Sequence, residues 1–144
     1  MPCLWFNTKG GTISEVLEYY RKIFNADFEE GTTVVVGDTP SGNTEFCNVK
    51  IFGQKYTLMS TEEEHHLFND SVSFTINCKD QEEIDRFWDY FTREGEESQC
   101  GWCLDKYGFR WQVNPANLDE LMQRPDAWQI MMSQKKIVIQ EYLG

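Results

Sequence analysis

Residues 99–115 read QCGWCLDKYGFRWQVNP, and the backbone this stretch adopts decides what its Cys-x-x-Cys pair can do. The second half has the form of a hairpin. Asp105-Lys106-Tyr107-Gly108 has turn composition, and beyond it Phe109, Trp111 and Val113 alternate with Arg110 and Gln112. Such alternation puts an apolar face on a core and a polar face away from it. An extended backbone continued back through Cys100 and Cys103 sends the two thiols to opposite faces. It also sets their Cα atoms roughly 10 Å apart, beyond the ~7 Å that a disulfide tolerates. A redox Cys-x-x-Cys instead opens a helix, whose N-terminus lowers the thiol pKa, and no amphipathic helix follows here. A bend at Gly101 weakens that exclusion, so a thiol redox protein using Cys100 and Cys103 stands as an alternative function. A structural zinc site needs four converging ligands, and Cys3, Cys47 and Cys78 are isolated in the sequence.

Upstream, the same order of elements occurs twice. Cys3 to Phe6 reads as a short buried strand, followed by a break at Lys9-Gly10-Gly11. Thr12-Ile13-Ser14-Glu15 has capping-box form, and Ile13, Val16, Leu17, Tyr20 and Phe24 supply a helical stripe. Strand-like segments follow at 32–36, 44–52 and 56–59, the second with Cys47, Val49 and Ile51 alternating against Asn48 and Lys50. The second round opens with Val72, Phe74, Ile76 and Cys78 against Ser73, Thr75 and Asn77. Asp80 then offers a helix cap with Glu83 three residues on, and Ile84, Phe87, Trp88 and Phe91 repeat the stripe. The fold class expected is α+β: two βαβββ modules (about 1–62 and 70–115), each using one helix to cover a sheet face. A helical C-terminal tail follows at about 116–144, with elements around Leu118–Met122 and 126–135.

Composition narrows the partners. A formal net charge of -11 opposes nucleic-acid binding, which needs clustered cations to displace counterions, and it equally opposes anionic membrane surfaces. No apolar run approaches the ~20 residues that span a bilayer. Met-Pro-Cys-Leu-Trp-Phe-Asn at the start lacks the form of a signal peptide. Five cysteines, an odd number, then read as reduced thiols of a cytoplasmic protein.

Gln99-Cys100-Gly101-Trp102, Asp105-Lys106-Tyr107-Gly108 and Trp111-Gln112-Val113-Asn114-Pro115 together closely resemble the PhnB-like family. So do Pro2-Cys3-Leu4-Trp5-Phe6-Asn7, Ser73-Phe74 with Asn77–Asp85, Met131-Met132 and Lys135-Lys136-Ile137. Its members are often labelled 3-demethylubiquinone-9 3-methyltransferase-like. It is a branch of the vicinal-oxygen-chelate superfamily, with glyoxalase, bleomycin-resistance and extradiol-dioxygenase relatives. In that family the position of Cys103 is often Leu, so the second cysteine resembles an apolar substitution. The resemblance implies a cup-shaped mixed sheet, a homodimer, and a small molecule bound in a cleft between the modules.

Metal-using relatives chelate a divalent ion with His, Gln or Glu from four strands, a Lewis acid for vicinal substrate oxygens. By hairpin alignment those positions are implied to fall on Gln112, Thr57, a residue at or near Ser71, and one near Cys3. Such a set lacks the carboxylates and imidazoles a hard cation wants. No cofactor is therefore expected, and a metal-dependent lyase, isomerase or dioxygenase is the alternative. The expected pocket wall is Trp5, Thr57, Met59, Ser73, Thr75, Arg110 and Gln112, an aromatic surface with a few polar groups. Trp111 falls to the core by strand parity. Glu62-Glu63-Glu64-His65-His66 is the other metal-like cluster, with Gln112, His65 and His66 as weak metal candidates. Methyl transfer is not expected, because no Gly-rich strand-to-helix loop for a nucleoside cofactor is present.

Overall fold

The computed structural model describes residues 1–64 and 67–144. The chain divides into two compact units, Met1–His66 and Leu67–Gly144, each built on one four-stranded mixed sheet. The first contains β1 (Cys3–Asn7), α1 (Ser14–Phe24), β2 (Phe28–Thr39), β3 (Gly42–Ile51) and β4 (Gln54–Thr61). Its strands lie in the order β1-β4-β3-β2, with β1 parallel to β4 and the other pairs antiparallel. The second repeats the plan with β5 (Ser73–Cys78), α2 (Gln81–Glu94), β6 (Glu96–Glu97), β7 (Trp102–Leu104) and β8 (Arg110–Pro115). Its order is β5-β8-β7-β6. Three short helices close that unit: α3 (Leu118–Leu121), α4 (Ala127–Ser133) and α5 (Gln140–Leu143). The doubled βαβββ order matches the sequence reading, and the two-residue β6 and α5 add to it.

One helix covers one face of each sheet. In the first unit Val16, Leu17, Tyr20, Ile23 and Phe24 of α1 are buried, as are Leu4, Phe6, Cys47, Val49, Ile51 and Leu58 of the strands. The Tyr20 and Phe6 rings meet at 6.1 Å. In the second, Ile84, Phe87, Trp88 and Phe91 of α2 are buried, and Phe91 stacks on Trp111 at 4.9 Å with the rings 4° apart. Burial of such side chains contributes about 1.5–3 kcal/mol each, so strand parity is fixed wherever a helix lies.

The two helix starts differ. Asp80 caps α2 as its sequence predicts, accepting from the Glu83 amide at 2.9 Å. The box at Thr12–Glu15 does not form: Ile13 is the N-cap, in a helical conformation, with no side-chain cap bond. The 3-10 turn Lys9–Gly11 delivers Ile13 fully buried, and Glu45 of β3 accepts its amide at 3.2 Å. Burying Ile13 outweighs a cap worth about 1 kcal/mol, and Glu45 supplies an acceptor from outside the helix.

The Cys-x-x-Cys stretch is not extended, which corrects the strand reading of Cys100–Cys103. Cys100 (φ 59°) and Gly101 (φ 84°) both have positive φ, and the Trp102 amide donates to the Gln99 carbonyl at 3.0 Å. This is the tight turn of a hairpin between β6 and β7, of the kind that demands left-handed residues at both centres. The tail fastens to it: the amides of Cys100 and Gly101 donate to the carbonyls of Gln134 and Lys135 at 2.9 and 2.8 Å. A Cβ on Gly101 would lie 3.0 Å from Ile137 and 3.1 Å from Asn114. The glycine is therefore needed for its φ and for the tail's close approach. Cys100 itself packs on the tail's cluster of Leu121, Ala127, Met131, Ile137 and Tyr142.

The following turn is held by one carboxylate. Asp105 is 1% exposed; its Oδ1 accepts from the amides of Tyr107 (2.8 Å) and Phe109 (3.1 Å), and its Oδ2 from the Trp111 indole (2.9 Å). Removing a shared acceptor strands several buried donors, each costing about 1–3 kcal/mol. Asp105→Ala should accordingly destabilise the protein by roughly 3 kcal/mol or more in denaturant unfolding. Asp105→Asn, which keeps one acceptor oxygen, should lose distinctly less.

Candidate functional site on the open sheet faces

The face of each sheet away from its helix carries the polar and half-buried residues. On the first, the strand register aligns Trp5 of β1 with Met59 of β4, Met59 with Phe46 of β3, and Phe46 with Val34 of β2. This apolar row crosses all four strands. Trp5, Met59 and Phe46 are half-buried, and the Trp5 indole donates to Thr61 Oγ1 at 2.8 Å, which fixes the ring. One step along, Cys3 pairs with Thr57 and Thr57 with Asn48, the threonine hydroxyl donating to Asn48 Oδ1 at 2.7 Å. Three of the expected pocket residues, Trp5, Thr57 and Met59, thus share this face.

The other four share the open face of the second sheet. Ser73 pairs with Arg110 and Thr75 with Gln112, and the Gln112 amide donates to Ser73 Oγ at 2.9 Å. Gln112 also faces Trp102, and Arg110 faces Leu104. Arg110 is engaged: its guanidinium donates to Asp70 (2.8 Å) and to the carbonyls of Phe68 (2.9 Å) and Gly108 (2.7 Å). It ties the approach to β5 onto the last hairpin. Phe46 and Trp102 were missed by the sequence reading, although parity was enough to find them. With Cys47 and Cys103 inward, their immediate neighbours must face outward.

The register also places the implied ligand positions relative to one another. Cys3 lies opposite Thr57, and in the second unit Thr75 lies opposite Gln112. Ser71 precedes β5, and its amide donates to Asn69 Oδ1 at 2.8 Å. The donors at these positions are a thiol and a hydroxyl in the first unit, a hydroxyl and an amide in the second. Burial pushes the Cys3 thiol above its ordinary value, which opposes the thiolate a metal would need. No group of three His, Cys, Asp or Glu suited to a metal occurs among the described residues. Neither donor pair fits a hard divalent cation, which takes carboxylate oxygens or imidazole. The candidates His65 and His66 lie outside the described residues.

A concavity of the second unit was not foreseen. A cavity of about 430 Å3 in the second unit is lined by Lys79, Asp80 and Gln81 with Ala116, Asn117 and the tail residues Val138–Gln140. Gln81 stitches it shut on one side, its amide nitrogen donating to the Ile137 carbonyl at 3.0 Å and its oxygen accepting from the Ile139 amide at 2.8 Å.

All five cysteines are free thiols. With the turn at Cys100–Gly101, the distance objection to a bridge no longer holds, but the surroundings disfavour thiolate chemistry. Burial pushes Cys103 up to about 12, with Asp105 and Glu97 adding to the rise, and burial likewise pushes Cys78 up to about 12. A reactive cysteine needs the opposite environment.

The two mixed sheets, each with its helix, are the α+β fold of glyoxalase and fosfomycin-resistance proteins. Protein PA1353 from Pseudomonas aeruginosa is similar at a TM-score of 0.55, with 20% identity over 79% of this chain and 94% of that one. The fosfomycin resistance protein FosX from Listeria monocytogenes is similar at 0.54, with 16% identity over 86% and 97%. The trypanothione-dependent glyoxalase I of Leishmania major is similar at 0.50, with 11% identity over 88% and 94%. A crystal structure of a FosX variant from Listeria monocytogenes is complexed with Mn(II) and 1S,2S-dihydroxypropylphosphonic acid. More narrowly, residues 1–114 match the model of the 3-demethylubiquinone-9 3-methyltransferase family, the PhnB-like group, and the chain belongs to it. No curated protein matches the chain. Among the described residues no helix is long and apolar enough to cross a membrane.

The thiols give two linked expectations. With iodoacetamide at pH 8, exposed Cys3 should be modified while Cys78 and Cys103 stay unlabelled until the protein is unfolded. An unfolded thiol gives up its proton near 9.0, whereas these two hold theirs to about 12. Their stabilising contribution is therefore complete below pH 9 and lost as pH rises toward 12. Unfolding free energy should be level up to about pH 8.5 and fall above pH 9, the inverse of an acid transition.

Proposed function

We propose that the open sheet faces bind a small organic molecule and that the protein acts on or carries it as a homodimer without a chelated metal. The observation that carries this reading is the row Trp5–Met59–Phe46 beside Thr57 and Asn48, matched in the second unit by Trp102 beside Gln112, Ser73 and Thr75. Apolar and aromatic side chains with a few oriented polar groups are the lining that small-ligand sites use. The fixed Trp5 ring offers a stacking platform with little ordering cost.

Two other activities have weaker support. The similarity to FosX, one variant of which is complexed with Mn(II) and 1S,2S-dihydroxypropylphosphonic acid, suggests metal-assisted binding of a vicinal diol. The donor pairs Cys3/Thr57 and Thr75/Gln112 speak against it, since neither offers a charged oxygen. The family's printed description suggests methyl transfer. Neither sheet has the doubly wound parallel order that presents a Gly-rich loop to a nucleoside cofactor.

A thermal-shift screen of small metabolites, repeated on variants, tests the reading. A hit should lose about tenfold or more in affinity with Trp5→Ala or Gln112→Ala, the cost of one good contact, while Trp128→Ala on the surface leaves it intact. Mn(II) alone should leave the melting temperature unchanged. Stoichiometric Mn(II) that disappears in Gln112→Ala would favour the metal enzyme instead.

A further inference from the structure

The outer edge of the first sheet is guarded at its ends and open at its centre. β2 is the terminal strand, and among the described residues no strand pairs with its far side. Its register with β3 shifts between Glu30 and Thr33 and again between Val36 and Thr39. Asp38 adds a left-handed residue at φ 53°. Bulges, bends and acidic residues of this kind are how native edges discourage pairing with another chain. Between them the ladder is regular from Thr33 to Val36, and this window carries no charge. Val34, Val35 and Val36 are 41%, 62% and 42% exposed, three β-branched residues in a row on a free edge. Left uncovered, that is an aggregation hazard.

We propose that this window pairs antiparallel with the same window of a second copy, on a two-fold axis through Val35. Symmetry and charge select both partner and register. Residues facing each other across an antiparallel pair must lie on the same sheet face. A two-fold perpendicular to the sheet meets that condition only when it passes through a residue rather than between two. Centred on Val34, it would set Glu30 directly against the partner's Asp38, a like-charge contact that destabilises. Each two-residue shift takes up one ladder position, so an axis on Val36 would place the Gly37-Asp38 position against the partner's Val35. Centred on Val35, it puts the Gly37-Asp38 position opposite the partner's Thr33 and Glu30 beyond the partner's Thr39, so no carboxylates meet. Val34 and Val36 then form a four-valine cluster on the open face, and Val35 meets itself on the other.

The pairing has a consequence for the open face. The row Trp5–Met59–Phe46–Val34 continues onto the partner's Val36, so the apolar strip of each copy runs across the axis. The inference builds on the homodimer reading and names its surface. It does not depend on the identity of the ligand.

Molar mass in solution and cysteine cross-linking test it together, in a Cys3→Ser background that removes the exposed thiol. The parent protein should run at twice the 17.0 kDa chain mass, and Val35→Lys should run at the single mass with unchanged circular dichroism. Val35→Cys should cross-link to itself under mild oxidation, because facing residues have Cα atoms about 4.5–5.5 Å apart. Thr32→Cys should not, since it lies about 20 Å from its own copy in this register. A dimer that survives Val35→Lys, or fails to cross-link through Val35→Cys, overturns the surface and leaves the homodimer reading standing. A monomeric parent protein overturns both.

Discussion

Each sheet in this protein has a single helix to cover it, and that shortage shapes everything else. α1 and α2 bury one face apiece, so every strand is obliged to send alternate residues outward. Inward positions are filled by Leu4, Phe6, Cys47, Leu58, Ile76, Cys103, Trp111 and Val113, all buried. Outward positions hold Trp5, Phe46, Met59, Trp102 and Gln112, all half-buried. Aromatic and thioether side chains on an uncovered sheet face are an open invitation to a ligand. The candidate site is a consequence of the architecture rather than an addition to it.

The second unit solves a harder folding problem than the first, because β6 and its neighbour β7 are only two and three residues long. Short strands lend little ladder energy, and compensation comes from two local devices. Asp105 gathers a turn and an indole onto one carboxylate, which joins the hairpin to the Trp111–Phe91 stack. The left-handed Cys100–Gly101 turn hands two amides to the tail, which makes residues 134–144 part of this unit. The residues that look most like chemistry in the sequence, Cys-Gly-Trp-Cys, are therefore a joint. Cys100 meets the tail cluster, Gly101 permits the turn, Trp102 looks outward and Cys103 inward.

Legibility followed the physics of the signal. Period-two alternation and the 3.6-residue stripe placed β3, β5, β8, α1 and α2, because burial on one face writes itself directly into residue type. The Asp80 cap was readable since all its parts are local, whereas the start of α1 was not, because its acceptor, Glu45, comes from a distant strand. The Cys100 turn was misread for the reverse reason: a non-glycine residue at positive φ leaves almost no trace in sequence. Parity put the candidate residues on the open faces but did not reveal their partners. That Gln112 engages Ser73, and that Arg110 is occupied by Asp70, Phe68 and Gly108, depends on register, which alternation alone does not reveal.

Five indoles report separately on these surfaces, which makes one spectrum the most direct test of the central claim. Trp5 and Trp102 lie on the open faces, Trp88 and Trp111 are buried with their N–H groups bonded to Glu97 and Asp105, and Trp128 is 65% exposed. In a two-dimensional N–H spectrum titrated with a small molecule that raises the melting temperature, the side-chain signal of Trp5 or of Trp102 should move. Those of Trp88, Trp111 and Trp128 should hold still. Movement confined to Trp88, Trp111 or Trp128, with Trp5 and Trp102 unmoved, would contradict the assignment of the open faces as the binding site.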